Sequence, residues 1–472
     1  MKYDVVIVGA GPAGYFSAYE LAIKNPTLKV CLIDRGLDIL KRRCPVMQHK
    51  IEKCPQNKDG IRECFPACSI TNGFGGAGAY SDGKFNITNE FGGWLQDYIG
   101  DEKLLELINY VDEINLKFGA TNVITNPDTP KVKEIERKAI SVGVKLLRSK
   151  VRHLGTEENL KILEKIYNFL KERITMIFQK SVKDIIVENK KVTGVILDDD
   201  TTINADYVFL AVGREGSKWL GEILEKRNIK MSQNQVDIGV RVETSNLIMD
   251  EINRNLYEGK FIYRTSVGTT VRTFCSNPSG HVVVENYEGV INVNGHSYND
   301  SKLGSNNTNF ALLVSHHFEE PFNKPNEYAL KVSSLANQLA CGSVIVQRYG
   351  DILAGRRSTK KRISESFIKP TLKEAVPGDL ALCLPYKTMK SIIEMMEVLD
   401  NITPGIATEH TLLYGVEAKY FSAHPDITEE LELKDISNLF VGGDGAGITR
   451  GLAQAGACGV YVADTILKRE DK

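Results

Sequence analysis

The chain has 472 residues, which is enough for two or three domains with sizeable cores. Hydrophobic residues make up 42% and charged residues 25%, as in a globular protein. The 59 Lys and Arg residues nearly balance the 60 Asp and Glu residues, which argues against a polyanion as the main partner. No apolar run reaches the ~18 residues of a membrane span. A strand-like run already begins at residue 3, so we expect a cytoplasmic protein without an export signal.

A strand, a glycine-rich turn and a helix are predicted at the start of the chain. Residues 3–8 are an apolar strand-like run, Gly9-Ala10-Gly11-Pro12-Ala13-Gly14 follows, and residues 15–23 have the spacing of an amphipathic helix. A second strand over 29–33 leads into Asp34, about 20 residues after the last glycine. The order of strand, Gly-x-Gly-x-x-Gly, helix and acid predicts a dinucleotide-binding turn rather than an ordinary glycine-rich turn.

The glycines of this turn have separate predicted roles. Gly9 makes the tight turn, Gly11 lets the backbone approach a pyrophosphate, and Gly14 lets the helix pack closely on the strand. The helix N-terminus offers unpaired N–H groups to the phosphates, and Asp34 is expected at the ribose. The candidate ligand contacts in this region are Gly9, Gly11, Pro12, Ala13, Gly14, Asp34 and Arg35.

A cysteine-containing segment follows. Cys44, Cys54, Cys64 and Cys68 lie in the irregular stretch 43–72, which is rich in proline and charge. Their spacings are nine, nine and three intervening residues, so only the last pair resembles a zinc or iron–sulfur motif. Three interpretations stay open, namely a metal or cluster site, a redox-active dithiol, and unpaired structural thiols.

Five glycines fall within residues 73–83, in the sequence Gly-Phe-Gly-Gly-Ala-Gly-Ala-Tyr-Ser-Asp-Gly. Such a density predicts backbone that lies against something flat or adopts left-handed turns. A flexible surface loop is the alternative, but a glycine loop early in a nucleotide-binding fold usually touches the ligand. The candidate contacts in this loop are Gly76, Ala77, Gly78, Ser81, Gly83 and Lys84.

Helices and strands alternate up to about residue 221, and strands then dominate. The predicted elements before that point are helices over 101–118 and 157–172 and strands over 174–178, 182–186, 191–197 and 206–213. From 222 to 385, strand-like runs surround one long helix over 327–340, which predicts an inserted β-rich domain. We therefore expect an α/β protein with an α+β second domain. Residues 1–221 and 386–472 would form the dinucleotide-binding domain, and 222–385 the inserted one.

Two later strand–glycine turns complete the pattern. They are Leu210-Ala211-Val212-Gly213 and Phe440-Val441-Gly442-Gly443-Asp444. Together with the first turn they resemble the three cofactor segments of FAD enzymes with the glutathione-reductase-type fold. The resemblance implies a Rossmann-like FAD-binding domain with an inserted substrate domain. The residues that it places near the cofactor or the substrate are Ala211, Gly213, Gly443, Asp444, Arg450, Gly451 and Gln454.

A narrower resemblance covers nearly the whole chain. It rests first on the glycine loop with Ser81-Asp82-Gly83-Lys84. Four further segments belong to it, namely Arg152-His153-Leu154-Gly155-Thr156, Gly239-Val240-Arg241-Val242-Glu243, Arg272-Thr273-Phe274-Cys275 and Val293-Asn294-Gly295. These segments are similar to the family of FAD-dependent dehydrogenases or oxidoreductases of unassigned substrate. The resemblance implies a flavin and an oxidoreductase, and it supplies no particular reaction.

Three residues are candidates for catalysis. Lys84 can stabilise negative charge on reduced flavin or donate a proton, with a solvated surface lysine as the alternative. His296 follows a strand of the inserted domain, which should cover the flavin, and a histidine can donate a proton near neutral pH. A hydrogen-bonded loop histidine is the alternative there. Cys275, the third candidate, ends one of the family segments.

The source of electrons stays open at this stage. The sequence has no second Gly-x-Gly-x-x-Gly after a strand, so a separate NAD(P)H-binding module is not expected. NAD(P)H docking transiently at the flavin and a protein electron donor are both compatible with the sequence. The basic residues Arg356, Arg357, Lys360, Lys361 and Arg362 can receive a substrate anion or an acidic redox partner, although a solvated loop is favoured. Nucleic acid is not favoured.

Three hypotheses follow. The favoured one is an FAD oxidoreductase that transfers a hydride between flavin and a small organic substrate held between the domains. The reaction would be reduction of a C=C or C=N bond or the reverse dehydrogenation. The second is a flavoprotein that senses redox state through its cysteines or modifies RNA. The third is an electron carrier between proteins.

Overall fold

The structure is a computed structural model of the 472-residue chain. It describes residues 2–45, 48, 50, 51, 55, 64, 67–81, 83–287, 289–297 and 301–471. The chain divides into two compact units. The first comprises Met1–Thr125, Ser149–Ser232 and Ser422–Lys472, and the second comprises Asn126–Arg148 and Gln233–Phe421.

The strands range from two-residue pairings to ten-residue strands. In chain order they are β1 (Lys2–Val8), β2 (Val30–Asp34), β3 (Lys84–Ile87), β4 (Val144–Leu147), β5 (Lys150–His153), β6 (Thr175–Phe178), β7 (Val182–Glu188), β8 (Lys191–Leu197), β9 (Thr202–Leu210), β10 (Met231–Ser232), β11 (Val236–Ser245), β12 (Lys260–Arg264), β13 (Thr270–Asn277), β14 (His281–Tyr287), β15 (Val290–His296), β16 (Asn307–His316), β17 (Ile345–Arg348), β18 (Val376–Pro377), β19 (Leu412–Lys419), β20 (His424–Pro425) and β21 (Leu439–Val441).

The α-helices are, in the same order, α1 (Pro12–Lys24), α2 (Gln96–Ile99), α3 (Asp101–Lys117), α4 (Pro130–Ser141), α5 (Gly155–Lys171), α6 (Ser217–Glu225), α7 (Asn246–Asn255), α8 (Pro325–Leu339), α9 (Tyr349–Leu353), α10 (Lys360–Glu365), α11 (Tyr386–Ile402) and α12 (Leu452–Glu470). Short 3-10 turns occur at Gly76–Tyr80, Arg214–Gly216, Ser301–Leu303, Leu380–Leu382 and Asp444–Ala446. Among the described residues, no helix is both long and apolar enough to cross a membrane.

The first unit is built on a parallel sheet in the order β6-β2-β1-β9, with β21 also beside β9. The β7–β8 hairpin extends this sheet antiparallel along the first part of β9. Val5, Val6 and Ile7 of β1 are fully buried, as expected for a strand covered on both faces. Because the strands are parallel, the carboxyl ends of β1, β2, β9 and β21 meet at one edge. The predicted α/β class is confirmed.

Helices α1 and α12 pack directly against one another. A Cβ atom at Gly459 of α12 would overlap the carbonyl oxygen of Ala13, and one at Gly456 would lie 2.8 Å from the ring of Phe16. The Gly/Ala-rich sequence of α12 therefore permits a close helix contact. Since α1 follows β1 and α12 follows β21, this contact brings the two ends of the chain together.

The second unit contains an eight-stranded sheet in the order β18-β17-β19-β11-β16-β13-β12-β4. All its pairings are antiparallel except β17–β18. In β11, Ile238, Val240 and Val242 enter the apolar core, whereas the alternate residues Asp237, Arg241 and Glu243 are buried polar groups. The predicted strand-rich character of this region is thus present, with polar side chains buried on one face of the sheet.

The boundaries of the units differ from the predicted boundaries at 222 and 385. The second unit continues to Phe421, because Ile392, Met395 and Leu399 of α11 lie in the same apolar core as the central strands. It also takes in Asn126–Arg148, because β4 pairs with β12 more than 100 residues later in the chain. Pairing at such separations leaves no local pattern from which a boundary could be predicted.

Candidate functional site

The turn between β1 and α1 contains two glycines that the fold itself requires. Gly9 has a φ of +107°, and a Cβ there would lie 2.5 Å from the carbonyl oxygen of Ala211 at the end of β9. A Cβ at Gly14 would overlap the carbonyl oxygen of Gly9. Gly9 therefore serves the turn, and Gly14 serves the packing of the helix on it.

Gly11 and Gly213 differ from these, because neither conformation nor packing requires a glycine. Gly11 has a φ of −73° and Gly213 a φ of −80°, which any residue adopts. A Cβ at Gly11 would have only Gly76 Cα at 4.0 Å, and one at Gly213 would meet no atom of the described residues within 4 Å. Both glycines thus leave open space beside the backbone. This is the arrangement that a ligand lying close to the main chain needs.

The N-terminus of α1 faces the same turn with hydrogen-bond donors. The first intrahelical bond runs from Tyr15 N–H to the carbonyl oxygen of Gly11, at 2.9 Å. The N–H groups of Ala13 and Gly14 precede it and have no acceptor within the helix, while Pro12 has no N–H. These donors and the positive end of the helix dipole favour an anion at this position.

Asp34 organises three segments of backbone at the edge of the sheet. One carboxylate oxygen accepts from Ala10 N–H at 2.9 Å, and the other accepts from Gly36 N–H at 2.7 Å and from Gly73 N–H at 2.9 Å. A carboxylate can accept about four hydrogen bonds, so one position is left on the oxygen that faces Ala10. The sequence predicted only a ribose contact here and missed the structural role.

Arg35, also predicted as a ligand contact, connects the segment before the glycine loop to the turn after β9. Its guanidinium donates to Asn72 Oδ1 at 2.7 Å and pairs with Glu215, which lies in the turn after Gly213. Both charged side chains are about half exposed, so their ion pair stabilises the fold by at most about 1 kcal/mol. Its predicted ligand contact stays a prediction.

The glycine loop is fixed on both sides. Gly75 N–H donates to the carbonyl oxygen of Ala10 at 2.7 Å, which holds the loop against the first turn. From the other side, Asn159 Nδ2 donates to Gly78 O at 2.8 Å, and Thr156 Oγ1 donates to Ser81 O at 2.9 Å. These contacts argue against a flexible surface loop. They also account for Thr156, which belongs to one of the family segments.

Arg42 also holds the glycine loop in place, and no sequence pattern predicted this role. Its side chain is fully buried, with 0% exposure. The guanidinium donates to four carbonyl oxygens, those of Ser69 at 2.8 Å, Ile70 at 3.0 Å, Phe74 at 2.5 Å and Gly76 at 2.9 Å. Burial lowers the pKa of Arg42 to about 10, and nearby Tyr80, Asp34 and Cys68 oppose that shift.

The turn after β21 meets the first turn of the chain. Gly443 has a φ of +83°, and a Cβ there would lie 3.0 Å from Val212 O and 3.8 Å from Ala13 Cβ. Asp444 accepts a hydrogen bond from Thr449 Oγ1 at 2.8 Å. Burial raises the pKa of its carboxyl group, and the Thr449 bond and two nearby arginines oppose the rise. Segments from opposite ends of the chain therefore converge on one edge.

The start of α12 is covered by a segment that the sequence analysis missed. Trp94 N–H donates to Ile448 O at 2.8 Å, and Arg450 N–H donates to Gly92 O at 2.7 Å. Gln454 is 2% exposed and lies against Gly92 and Gly93, where a Cβ would be too close to its side chain. Gln454 thus packs inside the first unit. Its predicted contact with a ligand, and those of Arg450 and Gly451, stay predictions.

The three predicted catalytic residues lie in different units. Lys84 begins β3 in the first unit, where this strand pairs with β5 and contacts α12. His296 ends β15 of the second unit directly opposite His281, and Cys275 lies in β13 with a φ of +48°. Their catalytic roles stay predictions.

Two family segments have a structural explanation in the second unit. Arg241 is fully buried and pairs with Glu417, with Nη1 3.3 Å from a carboxylate oxygen. Its other nitrogens donate to Asn309 Oδ1 at 2.8 Å and to Cys275 O at 2.6 Å. A Cβ at Gly295 would overlap this guanidinium. The Arg241 and Gly295 segments therefore fit together around one buried ion pair.

Three of the four cysteines in the segment 43–72 lie among the described residues. The described residues contain no group of three or more His, Cys, Asp or Glu side chains arranged to hold a metal ion. Cys54 lies outside the described residues, while Cys44, Cys64 and Cys68 are half-buried. Zinc or an iron–sulfur cluster therefore stays a prediction. Burial raises the thiol pKa to about 12 in Cys31, Cys383 and Cys458, which disfavours reactive thiolates there.

The basic run of the second unit is partly committed to internal contacts. Arg356 donates to Asp351 Oδ1 at 2.8 Å, and Arg362 Nε lies 3.1 Å from the same oxygen. Asp351 is 1% exposed and also accepts from Ser358 Oγ at 2.7 Å. Two of the five cations thus fold the segment, which weakens the interpretation that the run recognises an external anion.

Three family models match parts of the chain. A model described as FAD-dependent protein, C-terminal domain-like, matches residues 235–420. Pyridine nucleotide-disulphide oxidoreductase matches residues 139–247, and the Thi4 family matches residues 1–39. A relative from Clostridium beijerinckii, named as an uncharacterized protein, is 28% identical over 502 residues, covering 100% of this chain and 82% of the relative.

Solved structures with related architecture are more distant. L-proline dehydrogenase from P. horikoshii is 12% identical with a TM-score of 0.38, covering 99% of this chain and 94% of that chain. Formate oxidase from Aspergillus oryzae is 14% identical with a TM-score of 0.42, covering 100% of this chain and 99% of that chain. Likeness at this level identifies neither substrate nor reaction.

The residues at the edge of the first sheet fit FAD. Gly11 and Gly213 leave space along the backbone, the start of α1 offers donors for a diphosphate, and Asp34 keeps one acceptor position for a hydroxyl group. The matched models cover the beginning of the chain, part of the first unit and the second unit. The chain is an FAD-dependent oxidoreductase with a Rossmann-like domain for this cofactor.

Proposed function

We propose that the protein transfers a hydride between bound FAD and a small organic substrate. The reaction is reduction of a C=C or C=N bond or the reverse dehydrogenation. FAD, when bound, supplies the hydride acceptor and donor. The observation that carries the proposal is Gly11, which has an ordinary φ and open space beside its backbone at the turn from β1 to α1, next to the N–H groups of Ala13 and Gly14 that have no acceptor within the helix.

The proposed cofactor contacts follow from the donors and acceptors at this edge. The N–H groups of Ala13 and Gly14 hold the diphosphate at the start of α1. Asp34 accepts a ribose hydroxyl group at its remaining acceptor position. Asp444, kept in place by Thr449, holds the ribityl chain. These residues bind and orient the cofactor, and none of them moves a proton in the reaction.

Lys84 is the proposed group for charge and proton control. It is the first residue of β3, directly after the glycine loop, and β3 contacts α12. A lysine ammonium group there stabilises negative charge or donates a proton. His296 and Cys275 are kept as proposals of lower rank, because their segments have a structural explanation around Arg241.

The test is anaerobic spectroscopy of the purified protein. We expect a flavin band at about 450 nm that bleaches with a substrate from a panel of amines, imines and conjugated alkenes and their saturated products. NADH, NADPH and a reduced ferredoxin-like protein are added separately to identify the electron donor. Flavin reduction by the protein donor, with no turnover of any organic compound, would favour an electron carrier instead.

A matched pair of variants tests whether flavin binding depends on the open backbone at this edge. We call this region, which comprises Gly11, Gly213 and the start of α1, the cradle. Gly213→Val fills open space at the edge and is expected to abolish FAD binding. Gly221→Val also fills open space, in α6, and is expected to retain FAD. A protein that binds no FAD under any condition, or a Gly213→Val variant with full flavin content, would contradict the proposal.

A further inference from the structure

Arg42 carries a positive charge that is fully buried in the first unit. A cation with 0% exposure is costly to bury unless a negative charge compensates it. Among the described residues, no carboxylate lies within ion-pair distance of the Arg42 guanidinium, which donates only to main-chain carbonyl oxygens. These carbonyl oxygens satisfy its N–H groups, but they carry no full negative charge to offset that of the guanidinium.

Asp34 acts on Arg42 electrostatically, but its carboxylate already accepts other hydrogen bonds. The donors are three backbone N–H groups. Burial lowers the pKa of Arg42 to about 10 even with Asp34 nearby. Burial therefore disfavours the charged form, as expected for a cation held by neutral acceptors.

The glycine loop connects Arg42 to the open backbone at Gly11. Arg42 Nη2 donates to Gly76 O at 2.9 Å, and Gly76 Cα packs against Gly11. Gly11 is one of the two glycines with open space beside the backbone. A single peptide unit thus separates the guanidinium from the surface that a diphosphate would approach.

We propose that Arg42 is a positioning residue with a second role, in which its buried positive charge acts through the glycine loop to favour a diphosphate-containing ligand. The inference rests on the proposed role of this edge as the FAD site. It makes the preference for diphosphate over a neutral nucleoside depend on the charge at position 42. It also explains why a charged residue, rather than an amide, fastens this loop.

The test uses the full-length chain, with ADP and adenosine competing against FAD. Arg42→Gln removes the charge and keeps donors, and Arg42→Lys keeps the charge and loses the planar fork. We expect Arg42→Gln to weaken ADP roughly tenfold and adenosine by less than about twofold, with Arg42→Lys recovering most of the ADP affinity. Asn159→Ala removes a neutral clamp of the same loop and should weaken ADP and adenosine by equal factors.

Several outcomes would overturn the inference. If Arg42→Gln and Arg42→Lys weaken ADP equally, or if ADP and adenosine fall together, Arg42 only shapes the loop. A wild-type protein that binds adenosine as tightly as ADP overturns it without any variant, which covers the case that the Arg42 variants do not fold. Wild-type protein that fails to bind FAD contradicts the proposed function instead, so the two failures are distinguishable.

Discussion

Arg42 in the first unit and Arg241 in the second are both fully buried, yet their charges are compensated differently. Arg241 has Glu417 as a carboxylate partner, equally buried, and Asn309 as a further acceptor. Within the described part of the chain, Arg42 donates only to carbonyl oxygens. The comparison supports the proposal that a diphosphate at the start of α1 offsets the charge of Arg42, in the way that Glu417 offsets the charge of Arg241.

The largest loss of stability is expected from breaking the buried ion pair between Arg241 and Glu417. Arg241→Met leaves the buried Glu417 carboxylate with Lys419 as its remaining ionic partner, 3.2 Å away, and should lower the free energy of unfolding by about 3 kcal/mol in urea titrations. The double variant Arg241→Met with Glu417→Leu removes both charges and should recover much of that loss. A single variant with a loss below about 1 kcal/mol would show that the pair does not stabilise the unit.

The second unit should also lose stability on acidification through His316. Burial lowers its pKa from 6.5 to about 4, with Asp237 opposing and His317 adding to the shift, and Thr388 Oγ1 lies 3.1 Å from its ring. The unfolded chain binds this proton first, so the contribution is present above pH 6.5 and is lost towards pH 4. We expect a loss of about 2–3 kcal/mol over that range. Urea unfolding of His316→Gln should show a correspondingly flatter pH profile.

Arg42→Met is expected to destabilise the protein less than Arg241→Met, because it removes the hydrogen-bond donor of carbonyl groups rather than the partner of a charged carboxylate. The free energy of unfolding of the FAD-free protein should fall by about 1–3 kcal/mol. Excess FAD should stabilise the wild-type protein more than the variant, since the variant binds FAD more weakly. Thermal unfolding with and without FAD measures both quantities. A larger loss than in Arg241→Met would reverse the comparison of the two arginines.

The smallest effect on stability is expected at Gly11. Gly11→Ala meets no close atom and keeps an ordinary φ, so the FAD-free protein should change by less than about 1 kcal/mol. Its affinity for FAD should nevertheless fall. Gly14→Ala is the control, because its Cβ would overlap Gly9 O and should destabilise the protein with or without FAD. Unchanged FAD affinity in Gly11→Ala would remove the main support for the cradle.

Local patterns carried much of the prediction for the first unit. The apolar run of β1, the glycine turn and Asp34 at the end of β2 all depend on neighbours within about one βαβ unit. The same holds for the turn after β21, whose glycines and Asp444 follow a strand directly. The fold class could therefore be predicted, and so could the edge of the sheet at which these segments meet.

Contacts between distant parts of the chain could not be predicted in this way. Arg42 reaches carbonyl groups up to 34 residues away, and Arg241 reaches Glu417 across 176 residues. Gly93 meets Gln454 from the other end of the first unit. In the sequence, Arg42 lies near cysteines, Arg241 lies in a strand-like run, and Gly93 is one of a pair of glycines. No periodic pattern around any of them indicates its partner.

The sequence alone thus determined that a parallel sheet carries a dinucleotide turn and that a strand-rich region is inserted after it, because strand and helix periods and glycine spacing are short-range properties. Only the tertiary structure decided which glycines face open space, where the second unit ends and which carboxylate pairs with the buried Arg241. Those features depend on which distant segments occupy the neighbouring volume, and packing sets this only once the whole chain has folded.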